Sequence, residues 1–261
     1  MEVRAKKGLG QHFLVDQGIA MDIVGALKGS KVLEVGPGMG VLTQYLLRRP
    51  ETALKAVEID DESVAYLRER FPELGANLIE GDFLKYDLSG VFEGDFSIIG
   101  NFPYNISSQI FFKILDCRER IPEVVCMIQK EVAQRIAEKP GTKTYGILSV
   151  FLQAWYDIDY LFTVGPGCFN PPPKVQSAVI RLSRNGRTSL GCDEKLFRSI
   201  VKTSFGQRRK TLRNSLKPIA GSLAKSPETL AEFLGEPIFD SRPERLGVED
   251  FVALTNKFGT L

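Results

Sequence analysis

The tetrapeptide Asn101-Phe102-Pro103-Tyr104 follows directly on Asp95-Phe-Ser-Ile-Ile-Gly100, a short apolar run ending in glycine that reads as a buried strand. A side-chain amide and a phenol ring therefore stand where a strand stops, and open α/β sheets bind ligands at the carboxyl ends of their strands. Asn before an X-Pro step is also ordinary turn chemistry, and Tyr104 alone could be core. Three further strand ends bear on the choice. Glu34-Val-Gly-Pro-Gly-Met-Gly40 joins a strand to a helix, and Gly36 and Gly38 there allow a ligand close to the backbone, near the positive end of that helix. Glu58 lies 22 residues after Gly36, at the end of the next strand, where an acid can bind ribose hydroxyls. Asp82, in Glu80-Gly-Asp-Phe, closes the third strand. Gly, Glu and Asp on three consecutive strand ends describe an adenosine pocket. The glycine spacing, Gly-X-Gly-X-Gly, departs from the dinucleotide-binding pattern.

The elements that must carry these groups alternate. Strands are predicted at 31–36, 54–59, 78–81, 96–100 and 123–129, with helices at 41–49, 61–71, 106–115 and 131–138 between or after them. Such alternation predicts an α/β domain with a doubly wound parallel sheet. Two closing strands, 158–164 and 175–182, have no helix between them and predict an antiparallel edge. Beyond residue 184 only helical patterns remain, at 193–205, 208–219, 227–234 and 248–258, so the domain boundary is placed there, giving 1–184 and 185–261. At the other end, Gly8 and Gly10 beside Phe13 and Leu14 describe a segment, within residues 1–15, that bends and then anchors in apolar surroundings.

Composition narrows the class. A content of 43% hydrophobic and 25% charged residues is that of an ordinary globular protein. No run of about 18 apolar residues is present to span a membrane, and the opening residues lack a secretory signal pattern. Cys117, Cys126, Cys168 and Cys192 are scattered without short paired spacings, which predicts reduced cysteines in a cytoplasmic protein and no metal site. The net charge of +2 hides an asymmetry: residues 180–261 carry 15 Lys/Arg against 9 Asp/Glu. Arg198, Lys202, Arg208, Arg209, Lys210, Arg213 and Lys217 form a run with no acid among them from 198 to 217, which reads as a phosphate-tracking surface for nucleic acid.

Five separated motifs carry a resemblance. Val32-Leu-Glu-Val-Gly-Pro-Gly-Met-Gly-Val-Leu-Thr43 is similar to the first motif of S-adenosylmethionine-dependent methyltransferases, and Asn101-Phe-Pro-Tyr104 resembles the base-holding motif of adenine-N6 methyltransferases. With Lys7-Gly-Leu-Gly-Gln-His-Phe-Leu14, Phe169-Asn-Pro-Pro-Pro-Lys-Val-Gln-Ser177 and Phe205-Gly-Gln-Arg-Arg-Lys-Thr-Leu-Arg-Asn214, the chain resembles the small-subunit rRNA adenine N6,N6-dimethyltransferases almost from end to end.

The resemblance implies a Rossmann-like catalytic domain followed by a small helical, basic rRNA-binding domain. It implies S-adenosylmethionine as cofactor, held by His12, Leu14, Gly36, Gly38, Glu58, Asp82 and Asn101. The Asn101 side-chain oxygen and the Phe102 main-chain oxygen would accept from the adenine amine. Pro103 shapes that turn, Tyr104 would stack on the flipped-out base, and Phe169 would cover its other face. The implied partner is small-subunit rRNA in an immature 30S subunit, met by a monomer, with two adjacent adenines of a terminal hairpin loop as target. His12 stands where the family usually has Asn. Rival readings are a large-subunit rRNA dimethyltransferase of the macrolide-resistance type, a DNA adenine methyltransferase, and a mainly non-catalytic ribosome assembly factor.

Overall fold

In the computed structural model, which describes residues 3–261, the near-continuous apolar runs of the first half become the central strands of a sheet. Met1 and Glu2, part of the predicted N-terminal segment, lie outside the described residues. Strands β2 (Lys31–Val35), β5 (Ser97–Asn101) and β6 (Glu123–Gln129) are buried along almost their whole length, as strands covered on both faces must be. With β3 (Ala53–Glu58), β4 (Leu78–Glu80), β7 (Tyr156–Val164) and β9 (Ser177–Arg184) they form one seven-stranded sheet in the order β4-β3-β2-β5-β6-β9-β7.

The pairings from β4 through β6 are parallel, and β6 pairs antiparallel with β9, from Glu123↔Ser183 to Gln129↔Ser177. The predicted antiparallel edge is thus present. Strand order reverses between β2 and β5, which opens a crevice at their carboxyl ends. A second, two-stranded sheet was not foreseen: β1 (Phe13–Leu14) pairs antiparallel with β8 (Phe169–Asn170), Phe13 opposite Asn170 and Leu14 opposite Phe169.

Helices cross between the strands. Helix α1 (Gln17–Ala26) is capped by the Asp16 carboxylate, which accepts from Ile19 N at 3.0 Å. Helix α2 (Thr43–Leu46) is shorter than the predicted 41–49. Helix α3 (Asp61–Arg70) carries Asp61 and Glu62 in its first turn and Arg68 and Arg70 in its last, matching the helix dipole. Helix α4 (Ser107–Asp116) follows the tetrapeptide and buries Ile110, Phe111, Ile114 and Leu115, and α5 (Lys130–Ala137) follows β6.

The chain forms two compact units. The first comprises the residues up to Ala133 together with Asp157–Arg184; the second comprises Gln134–Tyr156 and Asn185–Leu261. The chain leaves the first unit at residue 184, and 134–156, assigned by sequence to the first domain, packs with the second unit. The reason lies in α6 (Ile147–Gln153), whose Leu148, Val150, Phe151 and Leu152 are all buried, leaving no polar face for solvent. Its Phe151 ring lies 6.1 Å from that of Phe197, on α7 (Glu194–Gly206).

The rest of the second unit is α8 (Leu212–Leu223), α9 (Pro227–Gly235) and α10 (Val248–Phe258), closed by the rings of Phe233, Phe239 and Phe258 at 4.9–6.0 Å from one another. Helix α8 starts later than predicted because residues 207–211 form a turn before Thr211 resets the backbone to extended. Among the described residues no helix is long and apolar enough to cross a membrane.

Candidate active site

The loop after β2 begins a cavity of 270 Å³ at the carboxyl ends of β2, β3, β4 and β5. Gly36 and Gly38 both adopt positive φ, 67° and 56°, a region that side chains avoid. A Cβ on Gly36 would project into open space, so the backbone there is bare to a ligand. One on Gly38 would stand 3.0 Å from the Phe13 ring, so the N-terminal segment lies against the loop. Leu14 also lines the cavity.

Carboxylates surround this half. Glu58 Oε2 accepts from Gly38 N, and Oε1 accepts from Ile59 N and Asp60 N, each at 2.9 Å. Burial holds the Glu58 carboxyl above its ordinary pKa, opposed by these backbone donors. Both lone pairs of Oε1 are taken by these donors, but Oε2 keeps a second one, so the group can still accept from a hydroxyl. Asp82 lines the cavity with Oδ1 fixed by Leu84 N at 2.9 Å.

Glu34 is a cavity residue that the sequence did not single out. It is 0% exposed; its Oε2 accepts from Thr43 Oγ1 at 2.7 Å, while Oε1 has no hydrogen-bond partner among the described residues. Burial, and less strongly the charge of Glu58, push this carboxyl up to about 8. An acid inside the otherwise apolar run Val-Leu-Glu-Val was the available signal.

The other half is built on β5. A Cβ on Gly100 would meet Val35 O at 2.5 Å, so glycine lets the strand end pack closely. Asn101 donates from Nδ2 to the His12 carbonyl at 2.9 Å, which leaves Oδ1 as the acceptor of the amide. The Phe102 side chain is fully buried, edge-on to Phe111 at 5.9 Å, so only its main chain is offered to a ligand. Pro103 and Tyr104 line the cavity, and Tyr104 Oη bonds Ser177 Oγ at 2.5 Å. The His12 ring lies 5.4 Å from the Tyr104 ring, tilted by 31°, and its Nδ1–H donates to the Pro171 carbonyl at 2.9 Å.

Phe169 is placed differently from the expectation. It does not line the cavity; it is 4% exposed, faces Leu14 across the small sheet, and joins an apolar cluster with Val164, Met127 and Val179. Its size and apolarity are used for anchoring, which a strand pairing over 155 positions made unreadable beforehand.

The basic run lies in the second unit, along α7, the turn and α8. Lys202, Arg209, Lys210 and Lys217 are exposed, Arg198 half-buried. The acid missing from the run arrives from elsewhere in the chain: Arg213 pairs with Asp240 at 2.9 Å and Arg208 approaches Glu244 at 3.9 Å while donating to Thr142 O. Phe205 packs against Tyr145 and Phe251. Among the described residues no group of three or more His, Cys, Asp or Glu is arranged around a metal position.

The family described as ribosomal RNA adenine dimethylase matches residues 2–227. The chain belongs to that family. It is 59% identical over 256 residues to ribosomal RNA small subunit methyltransferase A of Parabacteroides distasonis, covering 97% of this chain and 93% of the relative. It is 58% identical to the protein of the same name from Porphyromonas gingivalis, with 98% of both chains covered. Among solved structures, a dimethyladenosine transferase from Plasmodium falciparum aligns with TM-score 0.81 at 26% identity, covering 95% of this chain and 98% of that one. The 23S rRNA methyltransferase ErmE aligns at TM-score 0.63 and 25% identity, covering 95% and 99%.

A ribosomal RNA adenine dimethylase draws its methyl groups from S-adenosylmethionine. The cavity suits that molecule on its own features: bare backbone at Gly36, acceptors at Glu58 and Asp82, and the unpaired Glu34 oxygen. All the cofactor residues expected from sequence, including His12, Leu14 and Asn101, line this one cavity.

Proposed function

We propose that this chain dimethylates the exocyclic N6 amine of adenines in small-subunit rRNA, using Asn101 and the Phe102 carbonyl to hold the amine. The orientation of the Asn101 amide carries the reading. With Nδ2 committed to the His12 carbonyl, Oδ1 is free to accept from an N–H, and an adenine amine is an N–H donor with a delocalised lone pair. Two acceptors on its hydrogens favour a pyramidal, more nucleophilic nitrogen, so the effect is positioning and electrostatics.

S-adenosylmethionine supplies an electrophilic sulfonium methyl when bound. Glu58 would hold the ribose hydroxyls, Asp82 the adenine edge, and Gly36 and Gly38 would admit the chain of the cofactor against bare backbone. Leu14 and His12 would cover it. Tyr104, its hydroxyl held by Ser177, offers its ring as a stacking surface for the flipped base. The methylated nitrogen is a strongly acidic aminium, so its proton passes to water without a dedicated base.

In the second unit Arg198, Lys202, Arg208, Arg209, Lys210, Arg213 and Lys217 follow RNA phosphates, while only the target adenines are splayed out. The partner is an immature 30S subunit, the working form is a monomer, and the compartment is the cytoplasm. Mass spectrometry of rRNA from cells with and without the gene tests the reading. Loss of dimethyladenosine from small-subunit rRNA alone is the expected result; loss from large-subunit rRNA, or from neither, overturns it.

A further inference from the structure

Three parts of the site that sequence places far apart meet at one residue. The His12 carbonyl receives Asn101 Nδ2 at 2.9 Å, and the His12 ring donates from Nδ1 to Pro171 O at 2.9 Å. The next residue, Phe13, pairs with Asn170 and puts its ring 3.0 Å from where a Cβ on Gly38 would stand. On the other side, Gly10 approaches so closely that a Cβ there would be 2.6 Å from Asn105 Oδ1. The segment continues to a latch at the end of β3: Lys6 Nζ pairs with the Asp60 carboxylate, and Gln11 Nε2 donates to it at 3.3 Å. Residues from Lys6 to Leu14 thus run from the cofactor half of the cavity to the amine acceptor.

The chemistry of an amide makes the Asn101 bond decisive. Its two ends are nearly equal in shape but opposite in hydrogen bonding. Turned one way, Oδ1 accepts from an incoming amine; turned the other way, Nδ2–H confronts the N–H of that amine and repels it. The His12 carbonyl selects the productive orientation, because flipping would set two carbonyl oxygens against each other. That carbonyl is in place only when the segment is seated, and the His12 ring bond to Pro171 is one of the fastenings that seat it.

We propose that His12 is a positioning residue that couples the seating of the Lys6–Leu14 segment over the cofactor to the orientation of Asn101, so that cofactor binding primes the amine acceptor and the target base is captured second. The inference rests on the reading under Proposed function. It adds an order of binding and a role for the imidazole that is neither base nor direct ligand to the amine.

The test uses the full chain, a small-subunit rRNA hairpin, and the same hairpin with 2-aminopurine at the target position, whose emission rises when the base unstacks. For the wild-type protein, emission should rise several-fold more with S-adenosylhomocysteine present than without it. An equal rise without it overturns the inference. His12→Phe keeps a ring beside Tyr104 but has no N–H for Pro171. It should keep RNA affinity while lowering the single-turnover rate about tenfold, the loss expected of one positioning hydrogen bond. It should also make the emission less dependent on S-adenosylhomocysteine. His12→Asn, which restores a donor, should recover most of the rate. A His12→Phe protein with wild-type rate and wild-type emission overturns the role of the ring, whereas a wild-type protein that methylates no adenine overturns the underlying reading instead. The emission comparison on the wild-type protein stands even if a variant fails to fold.

Discussion

Glu58 and Asn101 end the two strands that flank β2, and they are held by opposite means. The Glu58 carboxylate is pinned by backbone N–H groups of Gly38, Ile59 and Asp60, two of them its immediate successors. The Asn101 amide is oriented by His12, and Tyr104 beside it by Ser177, partners 89 and 73 positions away. The cofactor half is built from main chain that the local strand-turn geometry supplies. The base half depends on side chains and segments that arrive from both ends of the first unit. A preformed pocket for a small molecule and an adjustable one for a flipped base would divide the work in this way.

The largest expected effect falls on the adjustable half. Asn101→Ala should lower methyl transfer about 10²–10³-fold, as loss of a preorganised polar group does, with RNA affinity nearly unchanged. The first transfer should suffer more than the second, because a monomethylated amine has one hydrogen left to satisfy. Single-turnover assays on unmethylated and monomethylated RNA measure this, and equal losses would remove the two-acceptor account. Next comes the preformed half: Glu58→Ala should weaken S-adenosylmethionine binding about ten- to a hundredfold, from charge-assisted bonds worth roughly 1.5–3 kcal/mol. Calorimetry reads it, and RNA affinity should stay put.

A smaller effect separates the halves further. Tyr104→Phe and Ser177→Ala each delete the same bond, so each should slow turnover by roughly 1 kcal/mol, and the double variant no more than either alone. Additive losses would mean that the two hydroxyls act independently. The smallest lies outside the cavity. Replacing Arg209, Lys210 and Lys217 by Ala should flatten the salt dependence of RNA binding by up to about one slope unit per lost phosphate contact. Arg213→Ala should do less, since Asp240 already holds that guanidinium. A slope unchanged in the triple variant would make the exposed residues an ordinary solvated face.

Legibility follows the same division. Gly36, Glu58, Asp82 and Asn101 were readable because each closes a short apolar strand, and a parallel sheet gathers strand ends by topology alone. What resisted reading depended on pairing over long separations. Phe169 has the composition of a base-stacking residue, and only its partner Leu14 reveals it as an anchor. Asp240 and Glu244 belong to short turns after the basic run, so the two ion pairs could not be counted from residues 198–217. The segment 134–156 begins in a strand-helix repeat yet leaves the first unit, because a largely apolar α6, buried from Leu148 to Leu152, needs a core around it more than a sheet face beneath it.

That segment also bears on how the chain is made. Gln134–Tyr156 leaves the ribosome before Asp157–Arg184, which completes the first sheet, and long before the helices from Asn185 onward that bury α6. At about 5–20 residues per second the apolar helix therefore waits for seconds without its companions, while β9 is still being delivered to β6. Neither unit can be finished from an uninterrupted stretch of chain. A gene fragment ending at residue 184 would strip α6 of α7 and α10, the helices it packs against, so an experimenter who wants the catalytic half alone must excise a piece from its middle as well as its end.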